Sequence, residues 1–223
     1  MKWTNEATGR TIEIYNEDCM PALVKMQENE YELAIVDPPY GIGDFRTKQS
    51  KNHHKNIKWN NAIPNETYFN EINRVSKNRI IWGVNYYAKY INDVGRIVHD
   101  KTGGGKRRQA NGLSDCDIAS HSFGVNMKIC HYVSIGNCIG NVIDWDNKLR
   151  WHPCQKPFSL YEWLLKNYAK ENDRILDTHL GSGSIAIACW EMGFDLVGYE
   201  LDTDYFEATC KRLDEHFRQG VLF

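Results

Sequence analysis

A short apolar strand that ends at two prolines is the feature that most constrains this fold. In Tyr31-Glu32-Leu33-Ala34-Ile35-Val36 the last four residues are apolar, which predicts a short buried strand. Pro38 and Pro39 follow it, and because proline has no backbone N–H and a fixed φ, neither a sheet ladder nor a helix can continue there. We therefore expect Asp37 and Tyr40 at a stiff strand end.

Strand and helix patterns alternate along most of the chain. Apolar runs and period-two alternation predict strands at 11–15, 31–36, 79–83, 95–100, 174–177 and 195–200. Helical spacing predicts helices at about 20–27, 65–75, 85–91, 161–168, 185–192 and 206–217. This alternation is typical of a mostly parallel sheet in an α/β domain. The polar stretch from Tyr40 to about Pro64 has no apolar periodicity, so we expect it to be mobile or ordered by a ligand.

The composition predicts one soluble, intracellular domain. The chain has 223 residues, of which 42% are hydrophobic, enough for one sizeable core. No apolar run approaches the ~20 residues that span a bilayer, and the start of the chain lacks the apolar stretch of a signal peptide. Seven cysteines without a C-x-x-C pair favour a reducing cytosol. Cys130, His131, Cys138, His152 and Cys154 match no standard zinc spacing, so we expect no metal.

The groups of Asp37-Pro38-Pro39-Tyr40 suit an aromatic amine. Asp37 can accept a hydrogen bond from an exocyclic amino group, the Pro38 carbonyl offers a second acceptor, and the Tyr40 ring offers a stacking face. Open α/β sheets bind ligands outside the carboxyl ends of their strands, which is where these residues are expected. A strand that simply ends in a Pro-Pro turn is the alternative for the motif taken alone.

The last fifty residues predict a nucleoside site. A strand ending at Asp177 is followed by Gly181-Ser182-Gly183-Ser184 and a helix, and Glu200 ends the next strand, seventeen residues after Gly183. Glycines let the backbone approach a ligand, and an acid in this place holds ribose hydroxyls. Residue 186 is Ala, so the third glycine of the dinucleotide fingerprint is absent, and a turn that uses glycine for packing is the alternative.

Two basic stretches are candidates for contact with nucleic acid. The net charge of −2 excludes a polycation that binds nucleic acid indiscriminately. The candidate residues are Arg46, Lys48, Lys51, Lys55, Lys58, Lys101, Lys106, Arg107 and Arg108. Together they would line a cleft for phosphates, although a solvated loop is the ordinary interpretation of each stretch alone.

Three segments together resemble the DNA amino-methyltransferases. Asp37 to Tyr40 is similar to their catalytic motif, His152-Pro153-Cys154-Gln155-Lys156-Pro157 to their H-P-T-Q-K-P segment, and Asp177 to Ser184 to their glycine-rich cofactor motif. The catalytic motif comes first and the cofactor motif last, as in the circularly permuted beta group, and the resemblance spans about 11–217. Cys154 stands where the family has Thr, and Asp177-Thr178-His179-Leu180 where it has D-P-F or D-P-M.

The resemblance implies a three-layer, Rossmann-like, circularly permuted methyltransferase fold. The single domain would comprise a catalytic half at about 11–100, a target-recognition subregion at about 101–150 and a cofactor half at about 151–217. S-adenosylmethionine would be the cofactor, held by Asp18, Asp37, His152, Cys154, Gln155, Lys156, Asp177, His179, Leu180, Gly181, Ser182, Gly183, Ser184 and Glu200. Glu200 would bind the ribose.

The implied substrate is double-stranded DNA, with the target base swung out of the helix. Asp37, Pro38, Pro39 and Tyr40 would be catalytic, by positioning and electrostatics and with no covalent intermediate. D-P-P-Y is typical of the family's N6-adenine enzymes and S-P-P-Y of its N4-cytosine enzymes, so adenine is expected first and cytosine second. An RNA or protein methyltransferase and a non-catalytic nucleic-acid-binding module stay open.

The resemblance also implies an oligomeric state, a type of source and a cellular location. It is compatible with a homodimer and with a bacterial or phage methylase, of the kind found in restriction–modification. No membrane association is expected, and the protein would act in the cytoplasm of a bacterial or phage-infected cell.

Overall fold

The protein forms a nine-stranded sheet with helices on both faces. The computed structural model describes residues 1–43, 59–102, 104, 114–132, 138–139, 142–143 and 155–219. The strands are β1 (Lys2–Thr4), β2 (Thr11–Tyr15), β3 (Tyr31–Val36), β4 (Ser76–Trp82), β5 (Gly95–Asp100), β6 (Cys116–His121), β7 (Met127–His131), β8 (Cys138–Ile139), β9 (Val142–Ile143), β10 (Arg174–Asp177) and β11 (Asp195–Tyr199). The helices are α1 (Cys19–Leu23), α2 (Glu66–Val75), α3 (Val84–Tyr87), α4 (Phe158–Tyr168), α5 (Ser184–Met192) and α6 (Thr203–Gln219), with short 3-10 turns at Trp59–Asn61 and Ala88–Tyr90.

The strand order of the large sheet is β1-β2-β11-β10-β3-β4-β6-β5-β7. The five strands from β2 to β4 in this order are parallel, whereas β1 is antiparallel to β2 and β6 is antiparallel to both β4 and β5. β5 and β7 are parallel, and β8 pairs with β9 in a separate hairpin. The sheet is therefore mostly parallel, which confirms the predicted fold class.

Successive residues of the central strands alternate between two cores. In β3, Leu33 and Ile35 pack with α4, α5 and α6, whereas Ala34 and Val36 face the other side and pack with α1, α2 and α3. All four side chains are at most 1% exposed. A strand that is buried on both faces reads as a continuous apolar run, because neither face contacts water.

Most predicted elements are present, with shifted ends. The first helix was expected to reach about residue 27, but α1 ends at Leu23, and the Arg74 guanidinium donates to the carbonyls of Leu23 and Met26 at 2.7 Å each. β4 begins at Ser76, three residues before the predicted start, since Ser76 already pairs with Tyr31 of β3. α4 likewise begins directly after Pro157.

The stretch at about 101–150 contributes to the main sheet. β6 and β7 both lie within it and pair with β5, so these residues are part of the core architecture. A role of the stretch in target recognition stays a prediction. Residues 44–58, the greater part of the polar stretch that we expected to be mobile or ordered by a ligand, lie outside the described residues.

The parallel strands bring the predicted site residues to one edge of the sheet. β3 and β10 are neighbours, with Leu176 opposite Ala34, although they are far apart in the chain. Asp37 follows β3, Asp177 ends β10, and Glu200 follows β11. Because parallel strands present their carboxyl ends on the same side, these three carboxyl groups meet there. Of the helices in the described ranges, none is long and apolar enough to cross a bilayer.

Candidate active site

Asp37 is the centre of the site, and both of its carboxylate oxygens have donors within the protein. The Tyr40 hydroxyl donates to Asp37 Oδ1 at 2.6 Å. The Lys156 ammonium forms an ion pair with Asp37 Oδ2, and the two side chains are 7% and 15% exposed. A carboxylate held by two donors from different segments has a fixed orientation, and it keeps further lone pairs free to accept from a ligand.

Lys156 reaches Asp37 from the segment that precedes α4. Its ammonium also lies 5.3 Å from the centroid of the Trp82 ring, close enough for a cation–π contact. Trp82 ends β4 and is fully buried. We expected Lys156 as a cofactor contact, and the structure places its ammonium on the Asp37 carboxylate.

The Tyr40 ring has an aromatic neighbour on one face. It stacks on Tyr86 with ring centroids 4.7 Å apart and an interplanar angle of 13°, and Tyr86 is 39% exposed. Burial raises the pKa of Tyr40 well above its ordinary value, so its hydroxyl remains protonated and donates to Asp37. The Tyr40 backbone N–H donates to Oδ1 of the buried Asn60 at 2.9 Å, which ties the motif to the polar stretch.

The Pro38 carbonyl also has a donor. The Tyr87 hydroxyl lies 3.3 Å from Pro38 O and hydrogen-bonds the Trp82 carbonyl as well. Because a carbonyl oxygen has two lone pairs, Pro38 O can still accept a second hydrogen bond.

Gly83 allows Tyr40 and Tyr87 to approach β4. Its φ is +78°, a value that favours glycine, and a Cβ here would overlap Tyr40 Cε1 and lie 2.5 Å from Tyr87 Oη. Sequence reasoning missed Gly83, Asn60, Tyr86 and Tyr87 as site residues. A glycine at the end of an apolar strand was the one local signal available for them.

The glycine turn lies beside Asp37, at the end of β10. Gly181 has a φ of +53° and Gly183 a φ of +69°. The Gly181 N–H donates to Glu200 Oε2 at 2.8 Å, and the Asp202 N–H donates to Glu200 Oε1 at 2.9 Å. Burial raises the pKa of Glu200. The turn therefore presents its backbone next to a carboxylate, as a nucleoside site requires.

Asp177 is a buried carboxyl group between the two halves of the site. It is 2% exposed, and its Oδ1 accepts from the His179 N–H at 2.9 Å. Burial raises the pKa of Asp177 to about 8, with Asp37 and Glu200 adding to the effect. The group is thus mostly protonated at pH 7, which reduces the negative charge gathered at this edge.

Thr178 and His179 form a row of hydrogen-bonded side chains with Tyr68, which we call the polar chain. The Tyr68 and Thr178 hydroxyls lie 2.7 Å apart, and Thr178 Oγ1 lies 2.9 Å from His179 Nδ1. Burial lowers the pKa of His179 to about 4, so the imidazole is neutral at pH 7. Pro followed by Phe or Met, the residues that the resemblance leads us to expect at these positions, could form neither hydrogen bond.

The structure describes most of the remaining residues that we predicted to bind the cofactor. Asp18 is exposed after β2, and its side chain caps α1 by accepting from Met20 N–H at 2.9 Å. Gln155, Leu180, Ser182 and Ser184 are buried, and the two serine hydroxyls lie 3.0 Å apart. His152 and Cys154 lie outside the described residues. Within the described ranges, no group of three or more His, Cys, Asp and Glu side chains is placed to hold a metal ion.

Of the nine predicted DNA contacts, eight lie outside the described residues. Lys101 is described, and its ammonium donates to Asp117 Oδ1 at 2.9 Å with the side chain 16% exposed. This ion pair uses Lys101 within the fold, and the structure adds no support for a phosphate contact at this residue.

Known proteins resemble the chain in sequence and in fold. A family model described as DNA methylase, N6_N4_Mtase, matches residues 126–211. The type II methyltransferase M.HpaI of Haemophilus parainfluenzae is 28% identical over an alignment 236 residues long. This alignment covers 90% of this chain and 73% of that protein. The crystal structure of an M1.HpyAVI–SAM complex is 18% identical, with 91% and 100% of the two chains covered and a TM-score of 0.54. The PvuII DNA methyltransferase, described as cytosine-N4-specific, is 12% identical. The alignment covers 93% of this chain and 92% of that chain, with a TM-score of 0.57.

Proposed function

We propose that this chain, which resembles the DNA amino-methyltransferases in sequence and in fold, transfers a methyl group from S-adenosylmethionine to N6 of adenine in DNA. One observation carries the proposal: the amine-accepting Asp37 and the glycine turn follow neighbouring strands, β3 and β10, and so open on the same space. A non-catalytic binding module has no need for this convergence.

The residues at the end of β10 and β11 fit the cofactor. Gly181 and Gly183 bring the backbone close without side chains, and Glu200 keeps lone pairs for ribose hydroxyls after accepting two N–H groups. Asp18 and the segment from His179 to Ser184 complete the set that would hold it. When bound, S-adenosylmethionine supplies an electrophilic methyl group.

Asp37 and Pro38 direct the lone pair of the target nitrogen. The amino group of adenine is conjugated with the ring, and two hydrogen bonds, one to Asp37 and one to Pro38 O, would turn its lone pair toward the methyl donor. The carboxylate stabilises the positive charge that develops on the nitrogen. It is also placed to take up the proton that the methylated nitrogen loses.

The amino group of the substrate would compete with the Tyr40 hydroxyl for Asp37 Oδ1. Oδ1 accepts from the Tyr40 hydroxyl, whereas Oδ2 is paired with Lys156. We infer that the amino group displaces the hydroxyl from Oδ1, and that Lys156 keeps the carboxylate in place during the exchange. The base, swung out of the duplex, would stack on the Tyr40 ring.

The second candidate is transfer to N4 of cytosine. Cytosine presents the same kind of conjugated amino group, and the PvuII enzyme, described as cytosine-N4-specific, shares the fold. Adenine is preferred because D-P-P-Y is typical of the adenine enzymes.

Nucleoside analysis tests the proposal. The protein is incubated with S-adenosylmethionine and unmethylated genomic DNA, and the digested DNA is analysed by mass spectrometry, with RNA incubated in parallel. We expect N6-methyldeoxyadenosine from DNA alone. N4-methyldeoxycytidine would favour the second candidate, and methylation of RNA in place of DNA would contradict the proposal.

A further inference from the structure

Helix α6 lies behind the glycine turn and binds two of its carbonyl groups. Thr209 Oγ1 donates to Gly181 O at 2.7 Å. Arg212 Nη1 donates to Ser182 O at 2.6 Å and lies 3.2 Å from Ser184 Oγ. Two successive carbonyls of the turn therefore point at α6. Nothing in the sequence patterns of the turn or of α6 indicated these contacts.

The same helix also sets the shape of the turn. Thr209 is fully buried, and a Cβ on Gly183 would lie only 2.6 Å from Thr209 Cγ2. Gly183 has a φ of +69°, so its conformation and its contact with Thr209 both favour glycine. Thr209 thus contacts the turn through its hydroxyl and its methyl group.

Gly181 connects this contact to the ligand side of the turn. Its carbonyl accepts from Thr209, and its N–H donates to Glu200 Oε2 at 2.8 Å. The carbonyl and the N–H belong to the two peptide groups that flank the Gly181 Cα, so a shift of the carbonyl away from Thr209 would also move the N–H that holds Glu200. In this way α6 acts on the carboxylate that we propose binds the ribose.

Arg212 places a charged group in a partly buried position behind the glycine turn. Burial lowers its pKa to about 10, so the side chain is still charged at pH 7. Among the described residues no carboxylate forms an ion pair with it, and its acceptors are Ser182 O and Ser184 Oγ. Since burying an uncompensated charge is costly, the hydrogen bonds to the turn are the evident structural reason for its position.

We propose that Thr209 and Arg212 are positioning residues that hold the glycine turn in the form that binds the cofactor. The inference rests on the proposed function, since it takes S-adenosylmethionine as the ligand of the turn. Neither side chain needs to touch the cofactor, because both act through the backbone of Gly181 and Ser182.

Four variants test this inference. Thr209→Val keeps the shape of the side chain and removes the donor, whereas Thr209→Ser keeps the donor. Arg212→Met removes the charge and keeps most of the stem. Lys211→Met is the matched control, since the Lys211 side chain is 79% exposed on the same helix. The measurements are the Kd for S-adenosylmethionine by calorimetry, the Tm, and kcat at saturating cofactor.

We expect Thr209→Val and Arg212→Met to raise the Kd for S-adenosylmethionine about tenfold, as loss of a buried hydrogen bond predicts. Thr209→Ser and Lys211→Met should bind nearly as the wild type, and kcat at saturating cofactor should change little in all four. Unchanged binding by Thr209→Val and Arg212→Met would overturn the inference. So would a weakening that disappears at lower temperature, where the variants are fully folded, because it would reflect stability alone.

If the proposed function were wrong, the measurements would give a different result. In that case the wild-type protein itself would bind no S-adenosylmethionine or would methylate no DNA. A wild type that binds and methylates, with variants that bind equally well, would overturn the inference about α6 alone.

Discussion

Two donors fix the Asp37 carboxylate, and they come from segments that are far apart in the sequence. Tyr40 lies three residues away, whereas Lys156 arrives from the segment before α4. We proposed that the hydroxyl leaves when a substrate amine arrives, whereas the ion pair with Lys156 is largely shielded from water. We therefore assign Lys156 to the orientation of Asp37 rather than to the cofactor alone.

Lys156→Met tests this assignment. Without the ammonium, Asp37 Oδ2 loses its donor and the carboxylate can rotate, so we expect kcat to fall at least about tenfold while the Kd for the cofactor changes much less. Lys166→Met, which alters an exposed residue of α4, is the control. Cofactor binding that weakens strongly while kcat stays unchanged would show that Lys156 serves the cofactor instead.

Asp177 predicts a specific dependence of stability on pH. Its pKa in the folded protein is about 8, above the value of about 4 for an unfolded chain, so the folded state binds more protons between these values. Stability therefore falls as pH rises through this range. The buried His179, with its pKa lowered to about 4, acts only below about pH 6.5 and does not interfere above it.

Urea unfolding of the wild type and Asp177→Asn measures this effect. From pH 6.5 to pH 8 we expect Asp177 to contribute a loss of roughly 1.5 kcal/mol in the wild-type free energy of unfolding. The variant should lack this contribution, because an amide does not titrate and can still accept from His179 N–H. Identical slopes for the two proteins would argue against a protonated Asp177.

At the scale of elements, the end of β4 positions the aromatic side of the site. Gly83 joins β4 to α3 at a φ of +78°, where a Cβ would overlap the Tyr40 ring. Gly9 has a similar φ of +71°, but no atom lies within 4 Å of where its Cβ would be. The two glycines therefore separate the cost of the backbone conformation from the cost of the clash.

We expect Gly9→Ala to destabilise the protein by about 1 kcal/mol, through its positive φ alone. Gly83→Ala should cost a further 1–3 kcal/mol, about the range for overpacking, and should lower kcat because Tyr40 is displaced. Thermal unfolding and methyl transfer measure both effects. Equal losses of stability, with full activity in Gly83→Ala, would show that Tyr40 adapts to the added methyl group.

Local patterns predicted most of the elements and the carboxyl ends of the central strands. The apolar run of β3 and the glycine turn after β10 are encoded in a few consecutive residues, so the positions of Asp37 and Glu200 at the ends of strands could be predicted from the sequence. β6 was not predicted, because Cys116-Asp117-Ile118-Ala119-Ser120-His121 has no clear alternation, and it is a strand because β4 and β5 pair with it on both sides.

Contacts between distant residues could not be predicted in the same way. The ion pair of Lys156 with Asp37 and the hold of Thr209 on Gly181 join segments that meet only in the folded sheet. The polar chain from Tyr68 to His179 was likewise invisible, although the departure from D-P-F at 178 and 179 marked its place. In each case the missing information was the tertiary arrangement of the helices around the glycine turn and the strand ends.

At the scale of the whole molecule, affinity for DNA should depend on the basic stretch at 46–58. The chain carries a net charge of −2, so attraction to phosphates must come from local clusters of positive charge. Each lysine that contacts a phosphate contributes about 0.9 to the slope of log K against log salt concentration. The stretch begins six residues after Tyr40 in the sequence.

Lys51→Gln with Lys55→Gln should reduce the magnitude of that slope by about 2 and weaken binding to all DNA sequences alike. The control is Lys77→Gln with Lys170→Gln, a pair of exposed lysines near the starts of β4 and β10, at the opposite edge of the sheet. Fluorescence anisotropy with a duplex at several salt concentrations gives both slopes. Equal slopes for the two double variants would remove the stretch at 46–58 from the DNA contact.

Single-turnover methyl transfer to DNA by Asp37→Asn tests the proposed chemistry most directly. Asparagine keeps the size of the side chain but removes the negative charge, so we expect the rate to fall by about two to three orders of magnitude. Glu171→Gln, a neutralisation of an exposed carboxylate before β10, should transfer at the wild-type rate. If Asp37→Asn, folded and able to bind the cofactor, transferred methyl groups as fast as the wild type, the carboxylate at the end of β3 would not be the catalytic group.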